Sequence, residues 1–217
     1  MFPLRDNNPS ETVPILTWFL IVANLLAFLF ELSAGAENFV STYGFTPALF
    51  FSQPDAFEIT TIFSSMFLHG GWAHLLGNMW FLYLFGDNVE DRLGHIPYLF
   101  FYLLSGVAAA MMQAFLSPHS TVQMIGASGA ISGVLGAYFV FFPQATVESL
   151  VPMGLFSRIY EVPAIVFLGL WFGIQLFTGF SSIGGPDTGG VAFWAHVGGF
   201  AFGLVVAKVF ATAKGLS

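Results

Sequence analysis

Ile125-Gly126-Ala127-Ser128-Gly129-Ala130 lies where a polar linker, Ser117 to Gln123, turns into an apolar helix, with one hydroxyl set among small residues. A Gly-x-Ser-Gly run alone has a plain packing explanation, because membrane helices use Gly and Ser wherever two backbones come close. What surrounds it decides between packing and chemistry. The 217-residue chain is 56% hydrophobic and 8% charged, with a mean hydropathy of +0.80. Soluble domains carry about 25% charged residues. Several apolar runs approach the roughly 20 residues that cross a hydrocarbon core, so the chain reads as one all-α polytopic membrane domain over residues 1–217.

Six spans are expected, over approximately 13–32, 72–86, 97–116, 128–142, 162–180 and 191–210. The first is entered through Ser10 as a helix cap, with Pro14 in its first turn. Ser33 to Glu58 is a long connection rich in aromatics, Phe39, Tyr43, Phe45, Phe50, Phe51 and Phe57 among them. Rings of that kind settle at the membrane interface, which makes this first outer loop membrane-associated. Gly86 to Gly94 reads as a charged turn, and Gln144 to Glu161 as a connection. The second and fourth spans are short for a bilayer and begin below its surface.

With the N-terminus cytoplasmic, Arg5, Arg92, Arg158, Lys208 and Lys214 all fall inside, and the outer connections hold no Lys or Arg. All five obey the positive-inside rule. Both termini are then cytoplasmic. The 12 acidic and 5 basic residues form no patch suited to nucleic acid. Zero cysteines exclude disulfides, cysteine catalysis and thiolate metal sites. Nothing in the sequence sets an oligomeric state.

In this topology the second, fourth and sixth spans run from outside to inside, so their early residues share a depth. The polar side chains fall there: His69 and His74 with Asn78 one turn deeper, Ser128, and His196. Ionisable groups inside a bilayer are costly and mark function or a specific hydrogen-bond network. From His196 the same helix face carries Gly199 and Gly203; from Ser128 it carries Ser132 and Gly136, with Gly129 and Gly133 beside them. Facing small stripes let two backbones approach, and a serine hydroxyl needs an imidazole within about 3 Å as its general base. No Asp or Glu stands in the outer halves of these three helices, and Asp187 lies in a Gly-rich loop. The pattern is a Ser-His dyad. The Ser128 backbone N–H at a helix N-terminus, with His74 and Asn78, supplies donors for an oxyanion.

These residues carry a resemblance. His69-Gly70-Gly71-Trp72-Ala73-His74-Leu75-Leu76-Gly77-Asn78, then Gly126-Ala127-Ser128-Gly129, then Ala195-His196-Val197-Gly198-Gly199 with Gly203 closely resemble the three signature motifs of the rhomboid intramembrane serine proteases, in order and across all six spans. The resemblance implies a bacterial-type six-helix rhomboid bundle in the inner (plasma) membrane, its site opening to the outer side. It implies Ser128 as nucleophile, His196 as base, His74, Asn78 and the Ser128 amide as oxyanion site, and His69 and Gly126 as auxiliary positions. Transmembrane proteins are the implied substrates, cut near their outer ends at small residues. No metal or organic cofactor is implied. The family's fifth helix and last outer loop, here Val162 to Phe180 and Ser181 to Gly190, are the parts implied to move as substrate enters.

Two departures stand out. Phe57-Glu58-Ile59-Thr60-Thr61 replaces a Trp-Arg pair that many relatives carry in the first outer loop. Ser132 stands where some members stack a tyrosine under the catalytic histidine, so His196 needs support from another neighbour or from water. Rival functions fit less of the pattern. A catalytically inactive relative that binds membrane helices is the alternative, yet such relatives usually lack the serine or the histidine, and both are here. A transporter predicts inverted repeats and ionisable groups through the full thickness. Metal binding by His69, His74 and His196 lacks a carboxylate or a fourth ligand.

Overall fold

A computed structural model describes residues 1–153, 156–182 and 192–215. In chain order these form strand β1 (Phe2–Asp6), α1 (Ile15–Ala34), α2 (Ala36–Tyr43), α3 (Pro47–Ser52), α4 (Ala56–Ser64), a 3-10 turn (Ser65–Phe67), α5 (Trp72–Leu93) and α6 (His95–Leu116). There follow α7 (Ser128–Phe141), strands β2 (Thr146–Met153) and β3 (Phe156–Pro163), α8 (Ala164–Ser182) and α9 (Phe193–Lys214). Among the described residues, α1, α6, α8 and α9 are each long and apolar enough to cross a membrane. The chain is a helical membrane bundle.

The central helix, α7, is shorter than α1, α5, α6, α8 and α9 around it. At about 1.5 Å per residue, the 14 residues of α7 reach roughly 21 Å, short of the roughly 30 Å hydrocarbon core. Ala130 to Tyr138 are all buried, as expected of a helix that is apolar all round and enclosed by others. Lipid-facing side chains lie instead on the outer helices: Phe19 and Leu26 on α1, Phe100 and Phe115 on α6, Ile174 and Phe177 on α8, Val205 and Val209 on α9.

The second span departs from expectation. Its helix does not stop at 86 in a charged turn; α5 runs 22 residues to Leu93. The charges stay helical because each finds work on a neighbour. Glu90, fully buried, accepts from Leu16 N (2.9 Å), Thr17 N (2.7 Å) and Thr17 Oγ1 (2.7 Å), and lies 2.6 Å from His95 Nδ1. It thereby satisfies backbone N–H groups that the first turn of α1 leaves unpaired. The cap expected from Ser10 is thus supplied by another helix, and Pro14 occupies the cap position without a side-chain bond.

Gln144 to Glu161, expected as a plain connection, departs from expectation as well. It contains β2 and most of β3, which pair antiparallel, and β1 adds to β2 to give a three-stranded sheet of order β1-β2-β3. The bundle therefore carries a small sheet at one end, where Arg5 bridges Glu148 at 2.7 Å and Tyr138 donates to Asp6. Burial pushes the Asp6 carboxyl up to about 6 against the opposing pull of the Tyr138 hydroxyl. The connection between α1 and α5 is helical as well, with α2, α3 and α4 in it. Its aromatics link α2, α4 and α1 through Phe30–Phe39, Phe39–Tyr43 and Tyr43–Phe57, while Leu49, Phe51, Phe57 and Ile59 remain exposed.

Candidate active site

At the end of the bundle opposite the sheet, the linker before α7 is tied down by backbone bonds. Phe45 and Met124 exchange N–H···O contacts of 3.1 and 2.7 Å, and Gly126 N donates to Ser65 O at 2.8 Å. Gly126 has φ +114°, and a Cβ there would meet His74 Nε2 at 2.7 Å and Asn78 Nδ2 at 3.4 Å. Only glycine meets both the dihedral and the space. Ser128 then opens α7, half-buried, with its amide among the helix N-terminal N–H groups that lack an intrahelical acceptor.

His196 enters from α9. The two helices touch backbone to backbone: side-chain carbons at Gly199 and Gly203 would collide with the carbonyl oxygens of Gly129 and Gly133, and one at Gly136 with Phe200 O. Gly129 and Gly133 also face Ala109 and Ser105 of α6, so these two glycines serve two neighbours at once. This closeness brings His196 Nε2 to 2.8 Å from Ser128 Oγ. The imidazole is buried, at 8% exposure.

From α5 and the turn before it come the remaining polar groups. His74 Nδ1 faces the Gly70 N–H at 3.3 Å, which leaves its Nε2 to carry the proton and donate beside Gly126. Asn78 Nδ2 lies 3.0 Å from His69 Nε2; an amide nitrogen only donates, so that imidazole nitrogen accepts. His69 is buried at 1% exposure, and its ring centroid is 5.1 Å from that of His74. In this arrangement the His69 ring is bonded to Asn78. Among the described residues no group of His, Asp or Glu side chains converges closely enough to hold a metal ion.

The Rhomboid domain model matches residues 56–213. The chain belongs to the rhomboid family. This rhomboid is 30% identical over 132 residues to "Rhomboid-like protein 11, chloroplastic" of Arabidopsis thaliana, covering 60% of this chain and 43% of that protein. It is 34% identical over 149 residues to "RHOMBOID-like protein 4" of the same plant, 68% and 33% respectively. With "Rhomboid protease AarA" of Providencia stuartii it shares 28% over 164 residues, 67% and 54%. The rhomboid chain thus spans between a third and about half of the length of these relatives.

Three residues that the sequence reading does not single out stand beside these groups. Gln175 of α8, itself 8% exposed, brings Oε1 to 2.8 Å from His196 Nδ1. Trp171, one turn earlier, lies against the imidazole with centroids 5.8 Å apart, in place of the tyrosine that Ser132 replaces. Ser132 itself donates back to Ser128 O at 2.6 Å. Glu31, buried near the C-terminal end of α1, accepts the His69 backbone N–H at 3.0 Å and fixes the turn before α5. Both Gln175 and Glu31 were visible as lone polar groups in apolar runs, but they stand on helices outside the second, fourth and sixth. The Phe57-Glu58 stretch is anchored as a helix, capped by Asp55 on Glu58 N at 2.8 Å. Asp187 and the last outer loop lie outside the described residues.

Proposed function

We propose that this rhomboid is an intramembrane serine endopeptidase that cuts transmembrane proteins through Ser128 and His196. The observation that carries the reading is the 2.8 Å approach of His196 Nε2 to Ser128 Oγ at the head of a buried helix. Support comes from a relative named as a protease and from the donors gathered around Gly126.

The chemistry follows from that geometry. Ser128 Oγ attacks the scissile carbonyl carbon while its proton passes to His196 Nε2. Charge develops on the carbonyl oxygen, within reach of His74 Nε2–H, the free Asn78 amide hydrogen and the Ser128 N–H. His196 returns the proton to the leaving amine, an acyl group remains on Ser128, and water, deprotonated by His196, releases it. His69 and Gly126 act by shaping the oxyanion space: the first holds Asn78, the second leaves room.

All five Lys and Arg residues belong to the sheet end of the bundle or the last turns of α9, so that end is proposed as cytoplasmic and the site as opening outward. A bacterial inner membrane is the proposed location, and the relative named as chloroplastic marks the competing one.

One experiment reads activity and orientation together. Sealed right-side-out vesicles are treated with a fluorophosphonate in membrane-permeant and impermeant forms. Both forms are expected to label the wild type, and neither to label Ser128→Ala or His196→Ala. Labelling that persists in Ser128→Ala overturns the nucleophile, and labelling by the permeant form alone reverses the orientation.

A further inference from the structure

His196 is a base only in one of its two neutral tautomers. With the proton on Nε2 it presents a donor to the serine hydroxyl, and with the proton on Nδ1 it presents a lone pair. Something must choose between them. The expected chooser is a carboxylate, yet the group found on the Nδ1 edge is an amide carried by α8.

We propose that Gln175 is a positioning residue that fixes the His196 tautomer. The proposal rests on the reading of Ser128 and His196 as nucleophile and base. Gln175 Oε1 only accepts, so at 2.8 Å it requires Nδ1 to carry the hydrogen. Nε2 is then left unprotonated toward Ser128 Oγ, also at 2.8 Å. When the serine proton arrives on Nε2 the ring becomes a cation, its Nδ1–H becomes a stronger donor, and the bond to Gln175 strengthens as charge develops. The Nδ1 proton itself stays where it is throughout.

Three features of the local structure agree with this role. An amide buried in an otherwise apolar stretch of helix is costly unless bonded, and His196 is the partner Gln175 has found. Trp171 and Gln175 are spaced i, i+4, so one face of α8 holds both the plane of the ring and its Nδ1 edge. An amide orients the imidazole without adding a second buried ion, whose desolvation is expensive in this setting.

The test uses the purified full chain in detergent and measures fluorophosphonate labelling rates, and kcat and KM on a transmembrane substrate, against pH for wild type, Gln175→Leu and Gln175→Glu. Gln175→Leu is expected to lower the labelling rate and kcat by about tenfold or more with little change in KM, since the ring is free to take the wrong tautomer. Gln175→Glu keeps an acceptor and is expected to recover most of the rate. Its carboxylate favours the protonated ring, so the acid limb of its profile moves to higher pH. A wild-type rate in Gln175→Leu overturns the proposal. So does an equal loss in both variants with the acid limb unmoved, which is the signature of packing alone. Should Gln175→Leu fail to fold, the acid limb of Gln175→Glu decides by itself. A wild type that is not labelled at Ser128 is a separate result, which removes the dyad and the proposal with it.

Discussion

Asn78 holds its place by a chain of bonds that starts on another helix. Glu31 fixes the His69 backbone, the His69 ring accepts one Asn78 amide hydrogen, and the other hydrogen is left for a developing oxyanion. Removing one such donor typically costs a hundredfold or more in turnover. Asn78→Ala is therefore expected to lower kcat about a hundredfold in a protein that still folds; unchanged turnover removes Asn78 from the oxyanion site. At this scale the legible residues were those whose polarity conflicted with their setting on the helices that share a depth. Ser128, His196, His74 and Asn78 stand out because each is a polar group in an apolar run at the shared depth. Gln175 and Glu31 conflict with their surroundings just as much. They escaped notice because nothing in a linear sequence says that α1 and α8 lean into the same space.

Between elements, the approach of α7 and α9 is set by glycine Cα atoms lying on carbonyl oxygens. A side chain added there has no flexible neighbour to push aside. Gly203→Val is expected to destabilise the bundle by about 2–3 kcal/mol and to slow Ser128 labelling more than a substitution of equal cost on the lipid face, for instance at Val209. Equal labelling in the two variants would mean that the seam does not set the distance between hydroxyl and imidazole. The small-residue stripes were readable as a seam between the fourth and sixth spans because their spacing repeats each turn. Double use of Gly129 and Gly133, against α6 as well, has no such signature. Charges at the end of α5 hide its continuation for a related reason. A run of Asp, Glu and Arg looks like a turn until Glu90 is seen bonding the start of α1.

Across the whole molecule, the two ends of the bundle differ in kind. One gathers groups for chemistry, the other gathers strands. Asp6 sits among the latter with its carboxyl raised to about 6, mainly by burial. The fold thus binds the Asp6 proton more tightly than the unfolded chain, where an aspartate titrates near 4. The stabilisation is complete below that lower value and is lost as pH rises through about 6. Asp6→Asn is expected to flatten this part of the stability curve and to raise the unfolding midpoint at pH 7 relative to pH 4.5. A wild-type dependence retained in the variant would assign it to another group. The sheet does not show in the sequence because β1 comes from the opposite end of the chain to β2 and β3, and β1 and β3 lack the alternation of a half-buried strand.

That distance also orders events during synthesis. Arg5 and its partner Glu148 are 143 residues apart, so the first strand leaves the ribosome long before its mate exists. At the roughly 5–20 residues per second of synthesis, it stays unpaired for at least several seconds while α1, α5, α6 and α7 enter the bilayer. The hairpin then supplies the template on which it closes. The sheet is a clasp whose two halves are made at opposite ends of synthesis.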